Sequence, residues 1–206
     1  MRERRIATED EMILAFLRGE VGSLRFGDAV RSALNHAGGL HLIESADIAS
    51  PTENAARRSA LAEARGFADR TDGLFHRFPA DDIGWSFGSL EPDEIERIRF
   101  IDYSYWVELS GGSRRPCDVR ATIESGRLPD WMVSIGTDWC FELADVLRRG
   151  TSLPDLVIVG TPDLHELVVL EGHARMTALF VAGLNETTRV TAFVGTAPNI
   201  HDWKLF

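Results

Sequence analysis

Glu171-Gly172-His173-Ala174-Arg175 places an acid, a glycine, an imidazole and a guanidinium in one short step. An apolar run, Leu167 to Leu170, enters the step, and an alanine-rich helical pattern to Leu184 leaves it. A strand that runs straight into a helix leaves the first amide N–H groups of the helix unpaired. With the positive end of the helix dipole, those donors suit an anion. Gly172 lets a ligand approach the backbone, and His173 and Arg175 add charge-assisted donors. Phosphate is the simplest ligand for such a corner, so nucleotide binding is the expected chemistry. Glu171 can take a proton from a substrate hydroxyl or help to hold Mg²⁺ through a phosphate-bound cluster. No residue is assigned as a dedicated metal ligand. Each of the three polar residues also has a plain reading. Glu171 is an acid favoured by the dipole, His173 a capping or core histidine, and Arg175 one half of a salt bridge.

A second feature is Ser110-Gly111-Gly112-Ser113-Arg114-Arg115, a glycine-rich turn with two arginines ahead of Pro116. Ser113, Arg114 and Arg115 can form another anion nest, for substrate or for outer phosphates. The turn lacks the lysine and spacing of a P-loop, and its plain reading is a turn with solvated arginines. Asp81-Asp82 reads as a solvated loop. The remaining histidines have no i, i+4 partner and no metal-site context. The aromatic residues between Phe75 and Trp106 read as core packing rather than a base-stacking platform.

The elements that must position these groups can be sketched. The chain has 206 residues, 44% hydrophobic and 26% charged, enough for a buried core. Its net charge of −10 argues against a general nucleic-acid binder. Lys204 is the one lysine, so the positive charge is almost all arginine. Cys117 and Cys140 match no metal spacing and read as two buried free thiols. No stretch is apolar enough to span a bilayer and none resembles a signal peptide, so a cytoplasmic location is expected. Helical spacing predicts helices over 9–19, 27–36, 91–110, 116–125, 138–149 and 173–183. Ser50-Pro51-Thr52-Glu53 predicts a capped helix to about Gly66, with Glu53 closing a capping box and the arginines turned outward. Short strands are expected at Leu40–Ile43, Leu156–Val159, Leu167–Leu170 and Val190–Val194. Residues 67–90 read as a packed loop region. The expected architecture is α+β, with a helical N-terminal region over 1–136 and a small mixed-sheet domain over 137–206.

The order helix, strand, strand, helix, strand resembles the ParB/sulfiredoxin-like superfamily over about residues 137–195. The resemblance rests on the proline-led strand Leu153-Pro154-Asp155-Leu156-Val157-Ile158-Val159 and on the G-x-x-R step Gly172-His173-Ala174-Arg175, with Ala178 after it. Chromosome-partitioning members carry a second acid and paired arginines in this step. Here His173 and Ala174 stand in those places, and no room follows for a helix-turn-helix domain, so DNA is not an expected partner. Sulfiredoxins carry a catalytic cysteine where His173 stands. The free-serine kinases, with an acid-Gly-His-His-Arg step, are locally most similar, although Ala174 replaces the second histidine. That resemblance implies a phosphotransfer enzyme using ATP or ADP and Mg²⁺ on a small hydroxylated metabolite. Glu171 and His173 would be the catalytic residues, and Gly172, His173 and Arg175 the nucleotide-binding ones. The alternatives are a non-catalytic nucleotide-binding regulator or interaction module, and a ParB-like nuclease.

Overall fold

The computed structural model describes residues 1–67, 73–183 and 190–206. In chain order they form β1 (Arg2–Ile6), α1 (Glu9–Glu20), α2 (Gly27–Ala37), α3 (His41–Glu44), α4 (Pro51–Arg65), β2 (Gly84–Leu90), α5 (Pro92–Arg97) and β3 (Ile98–Arg99). Then follow α6 (Ser104–Leu109), α7 (Pro116–Ser125), α8 (Asp130–Ile135), α9 (Asp138–Arg148), β4 (Leu156–Gly160), β5 (Leu167–Glu171), α10 (His173–Ala182) and β6 (Val190–Thr196). The protein is a mixed α/β fold, with ten α-helices and a six-stranded sheet among the described residues.

The strand order is β1-β2-β6-β4-β5-β3. β4 and β5 form an antiparallel hairpin, and β4 runs parallel to β6. On the far side of β6 lies β2, antiparallel over Gly84–Leu90, with β1 antiparallel to it at the edge. β3 closes the other edge, parallel to β5. The N-terminal region is therefore not purely helical. Three of the six strands come from residues before 136, so the sheet crosses the expected boundary.

Both faces of the sheet are covered, so the central strands β4 and β5 are buried along their whole length and are apolar up to Glu171. Val157, Val159, Val168 and Leu170 turn toward α1–α4 and join Met12, Phe16, Leu34 and Phe75. Ile158, Val169 and Val194 turn the other way, toward α7, α9 and α10, and join Val119, Cys140 and Met176. Period-2 alternation feeds each face separately.

Several local expectations are corrected. Leu40–Ile43 is not a strand; His41–Glu44 makes one helical turn held by backbone bonds such as Glu44 N–H to Leu40. The 67–90 stretch contains β2, and its residues 68–72 lie outside the described residues. The helix expected over 91–110 is broken by β3 into α5 and α6. Cys117 is exposed, while Cys140 is buried with its thiol pushed up to about 11 by burial; both are free. No described helix is long and apolar enough to cross a membrane.

α4 starts where expected, with Ser50 Oγ accepting from Glu53 N–H, and it ends at Gly66 in the left-handed region. The capping box does not close: Glu53 accepts instead from Asp47 N–H at 3.0 Å. Nor do all its arginines face outward. Arg57 is fully buried and donates to the carbonyls of Leu42 and Asp47 at 2.9 and 3.0 Å. Arg57 thereby ties α4 to α3 and to the turn that follows it.

Candidate functional site

The strand-to-helix corner forms at the expected residue. β5 ends at Glu171, Gly172 turns the chain with φ of 103°, and α10 begins at His173. That positive φ favours glycine. The space beside Gly172 is taken from within the protein: a Cβ there would strike Leu156 and lie 3.2 Å from Arg175 Nη2. Gly172 thus serves the turn and the packing against Leu156, not an open approach for a ligand.

Glu171 and Arg175 are both buried and pair with each other across the strand-to-helix corner. Arg175 Nη2 donates to Glu171 Oε2, and its Nη1 donates to the carbonyls of Pro154 and Asp155, the latter at 2.7 Å. The guanidinium therefore ties the end of β5, the start of α10 and the entry to β4 together. Burial lifts the Glu171 carboxyl above its usual range, against the lowering pull of Arg175. The salt-bridge reading of Arg175 holds, and its partner is the acid proposed as the base.

The helical layer closes the corner from outside. A methyl on Gly19, in the last turn of α1, would strike Arg175 and lie 2.5 Å from Glu171 Oε2. Beside it, Glu20 is buried with Oε2 3.1 Å from Arg65 Nε of α4. The two atoms are close enough for an ion pair but not aligned for a hydrogen bond. The Glu20 carboxyl is pushed up to about 7, first by burial, with the Glu171 charge adding to the rise and Arg65, Arg175 and Arg25 opposing it. Arg65 lies 3.6 Å over the Phe26 ring. Two acids and two arginines from α1, α4, β5 and α10 thus meet in one largely buried cluster.

His173 turns away from this cluster onto aromatic rings. It stacks on Trp106 at 5.3 Å and 13°, and on Phe100 at 5.7 Å and 22°. Its Nε2 is buried without a hydrogen-bond partner. Burial, then the charges of Arg65 and Arg175, push its pKa down to about 3, so the ring is neutral near pH 7. It is not a cationic phosphate donor in this state. Ala174 is exposed.

The Ser110–Arg115 turn is largely satisfied internally. Ser113 Oγ donates to Asp118 Oδ2 at 2.6 Å. Arg114 adopts φ of 59° and donates from Nη1 to the Phe206 carbonyl at 2.9 Å, with Asp102 at 3.7 Å. Arg115 precedes α7 and is exposed. Turn and corner meet through Phe100, whose N–H donates to the Arg114 carbonyl and whose ring stacks on His173, and through Trp106, whose carbonyl accepts from Ser110 N–H and whose ring also stacks on His173.

The structure brings Glu171, Gly172 and Arg175 against Gly19, Glu20 and Arg65, which sequence reasoning did not single out. One signal was available. Glu20 sits in the last turn of a helix, where the dipole disfavours an acid, so it needs a compensating partner. The residues at the corner do not fit an Mg²⁺–nucleotide cluster as they stand, because Glu171 is committed to Arg175 and Glu20 faces Arg65. Among the described residues no three His, Cys, Asp or Glu side chains converge as metal ligands. No protein-family model, no curated protein and no solved structure matches this chain, so its chemistry has to be read from its own residues.

Proposed function

We propose that this chain is a binding module, with the element order of the ParB/sulfiredoxin-like superfamily, whose strand-to-helix corner acts as a structural lock without phosphotransfer turnover. The observation that carries this reading is the buried Glu171–Arg175 pair, braced on the Pro154 and Asp155 carbonyls and capped by Gly19. A general base needs an accessible oxygen within reach of the substrate hydroxyl. Phosphoryl transfer needs cations aimed at an open phosphate position. Glu171 and Arg175 face each other instead.

A second reading, an ATP- or ADP-dependent kinase acting with Mg²⁺ on a small hydroxylated metabolite, has one observation in its favour. His173 Nε2 is an unsatisfied polar atom at the start of α10. In that reading Arg175 leaves Glu171 for a phosphate oxygen, and Glu171 is released to act as base.

Thermal-shift titrations with ATP and ADP, with and without Mg²⁺, combined with ADP- and phosphate-release assays, separate the two. The lock predicts no release above the buffer rate. Release that disappears in Glu171→Gln would overturn it in favour of the kinase. A nucleotide-induced shift without release would identify the module's ligand as a nucleotide.

A further inference from the structure

A groove of about 520 Å³ runs along the outer face of α1, within the usual size range of small-molecule sites. Glu11, Leu14, Ala15 and Arg18 line one wall at i, i+3, i+4 and i+7, a single stripe about 10 Å long. Pro154 and Phe193 contribute from the sheet side, and Ile48 forms an exposed lip. Leu14, Ala15, Ala46, Ile48, Pro154 and Phe193 supply apolar lining, and Arg5, Glu11, Arg18 and Asp155 supply the charges among them.

Nearly all of this charge is already matched. Arg5 pairs with Glu11 at 2.8 Å and lies over the Phe87 ring, while Glu11 also accepts from Thr8 N–H. Asp155 accepts from the Thr191 hydroxyl through its carboxylate and from Arg175 through its carbonyl. Arg18 differs. Its Nε donates to the Ile43 carbonyl at 2.7 Å, which fixes the guanidinium plane, and no described carboxylate pairs with it. Both Nη groups are left to donate at the mouth of the groove. A groove of similar size along α4 offers no such donor, because its Arg58 is held by Glu9 and Asp10.

We infer that this groove binds a small molecule carrying one oxyanion group, a carboxylate or a phosphate monoester, on an apolar body. Arg18 takes the oxyanion in a two-pronged hydrogen bond, and Leu14, Ala15, Pro154, Phe193 and Ile48 take the apolar body. The walls are set before binding: Arg175 braces Pro154 and Asp155, Ile43 orients Arg18, and the buried Arg57 holds the turn that carries Ile48 through the Asp47 carbonyl. Pre-set walls reduce the ordering cost of binding. The site is distinct from the corner and shares with it only the Arg175 brace on Pro154 and Asp155, so its ligand can be tested apart from the turnover assays.

The test is an NMR titration of the intact chain with benzoate, phenyl phosphate, inorganic phosphate and benzyl alcohol. Benzoate or phenyl phosphate should give saturable shifts on α1 and near Phe193. The better of the two identifies the anion, and benzyl alcohol and inorganic phosphate should each bind at least about tenfold more weakly. Arg18→Gln should weaken binding by about tenfold or more. Ile48→Asp leaves the Arg18–Ile43 bond intact and should weaken it through charge repulsion at the lip. The inference is overturned if neither aromatic anion gives saturable shifts at millimolar concentration, if benzyl alcohol binds equally well, or if both variants bind like the parent chain.

Discussion

Gly19 of α1 sits directly on the Glu171 carboxylate, so that a single methyl at position 19 would lie 2.5 Å from Oε2. In an isolated helix, Gly→Ala adds about 1 kcal/mol of stability. Here the sign reverses, because the methyl meets a buried ion pair that cannot swing aside without leaving the Pro154 and Asp155 carbonyls. Gly19→Ala should destabilise the protein by about 1–3 kcal/mol in urea unfolding. A gain in stability would show that α1 does not seal the corner.

The Glu171–Arg175 pair makes a sharper test of the lock. Arg175→Met leaves a buried carboxylate and two carbonyls without their donor, and should cost about 3–5 kcal/mol. Glu171→Gln keeps a weaker acceptor and should cost less. The double variant Glu171→Leu/Arg175→Met should be more stable than the sum of the single losses implies, since it removes both charges together. Additive losses in a double-mutant cycle would mean that the two residues act independently.

Glu20 should make stability depend on pH near neutrality. Its carboxyl is raised from 4.5 to about 7, so the folded state holds the proton more tightly than the unfolded chain. This contribution is fully present below about pH 4.5 and is lost as pH rises through about 7. Glu20→Gln should therefore gain on the wild type by on the order of 2 kcal/mol between about pH 5 and pH 8, read from parallel denaturation curves. Parallel curves without that divergence would place Glu20 in a solvated setting.

His173 acts in the opposite direction. Its pKa falls from 6.5 to about 3, so its contribution is present above about pH 6.5 and is lost as pH falls toward 3. The wild type should lose roughly 2 kcal/mol relative to His173→Phe between about pH 7 and pH 5. The ring protons of His173 should not titrate near pH 6.5 in NMR. The two slopes oppose each other between about pH 4.5 and pH 6.5, so only the single variants separate them.

The final third of the chain was legible because its signals are local. A proline opens the entry to β4, a tight hairpin follows, and Gly172 marks the turn into α10. β2 was not legible. Gly84-Trp85-Ser86-Phe87-Gly88-Ser89-Leu90 has the composition of a loop, and it is a strand because β1 and β6 pair with it on both sides. Ser86 even donates its hydroxyl to the Val194 carbonyl from a buried position. Leu40–Ile43 was a short, mostly apolar run that periodicity cannot assign to strand or helix. At the corner, the residue types that suit a phosphate also suit each other: Glu171 and Arg175 are four apart, the spacing of an intrahelical ion pair. Which partner Arg175 takes depends on α1, and α1 reaches the corner only in three dimensions.

The place of β6 between β2 and β4 has a consequence for how the protein is made. Ser86 and Val194 are 108 positions apart, yet they lie side by side at the centre of the sheet. On the ribosome, β1 and β2 emerge long before the strand that joins them to β4. Until then Trp85 and Phe87 lack their β6 neighbours, and β2 keeps an unpaired edge. The sheet cannot zip up progressively from its N-terminal side. The pairing that joins the two halves of the sheet spans more than a hundred residues, the kind of non-local contact that forms slowly.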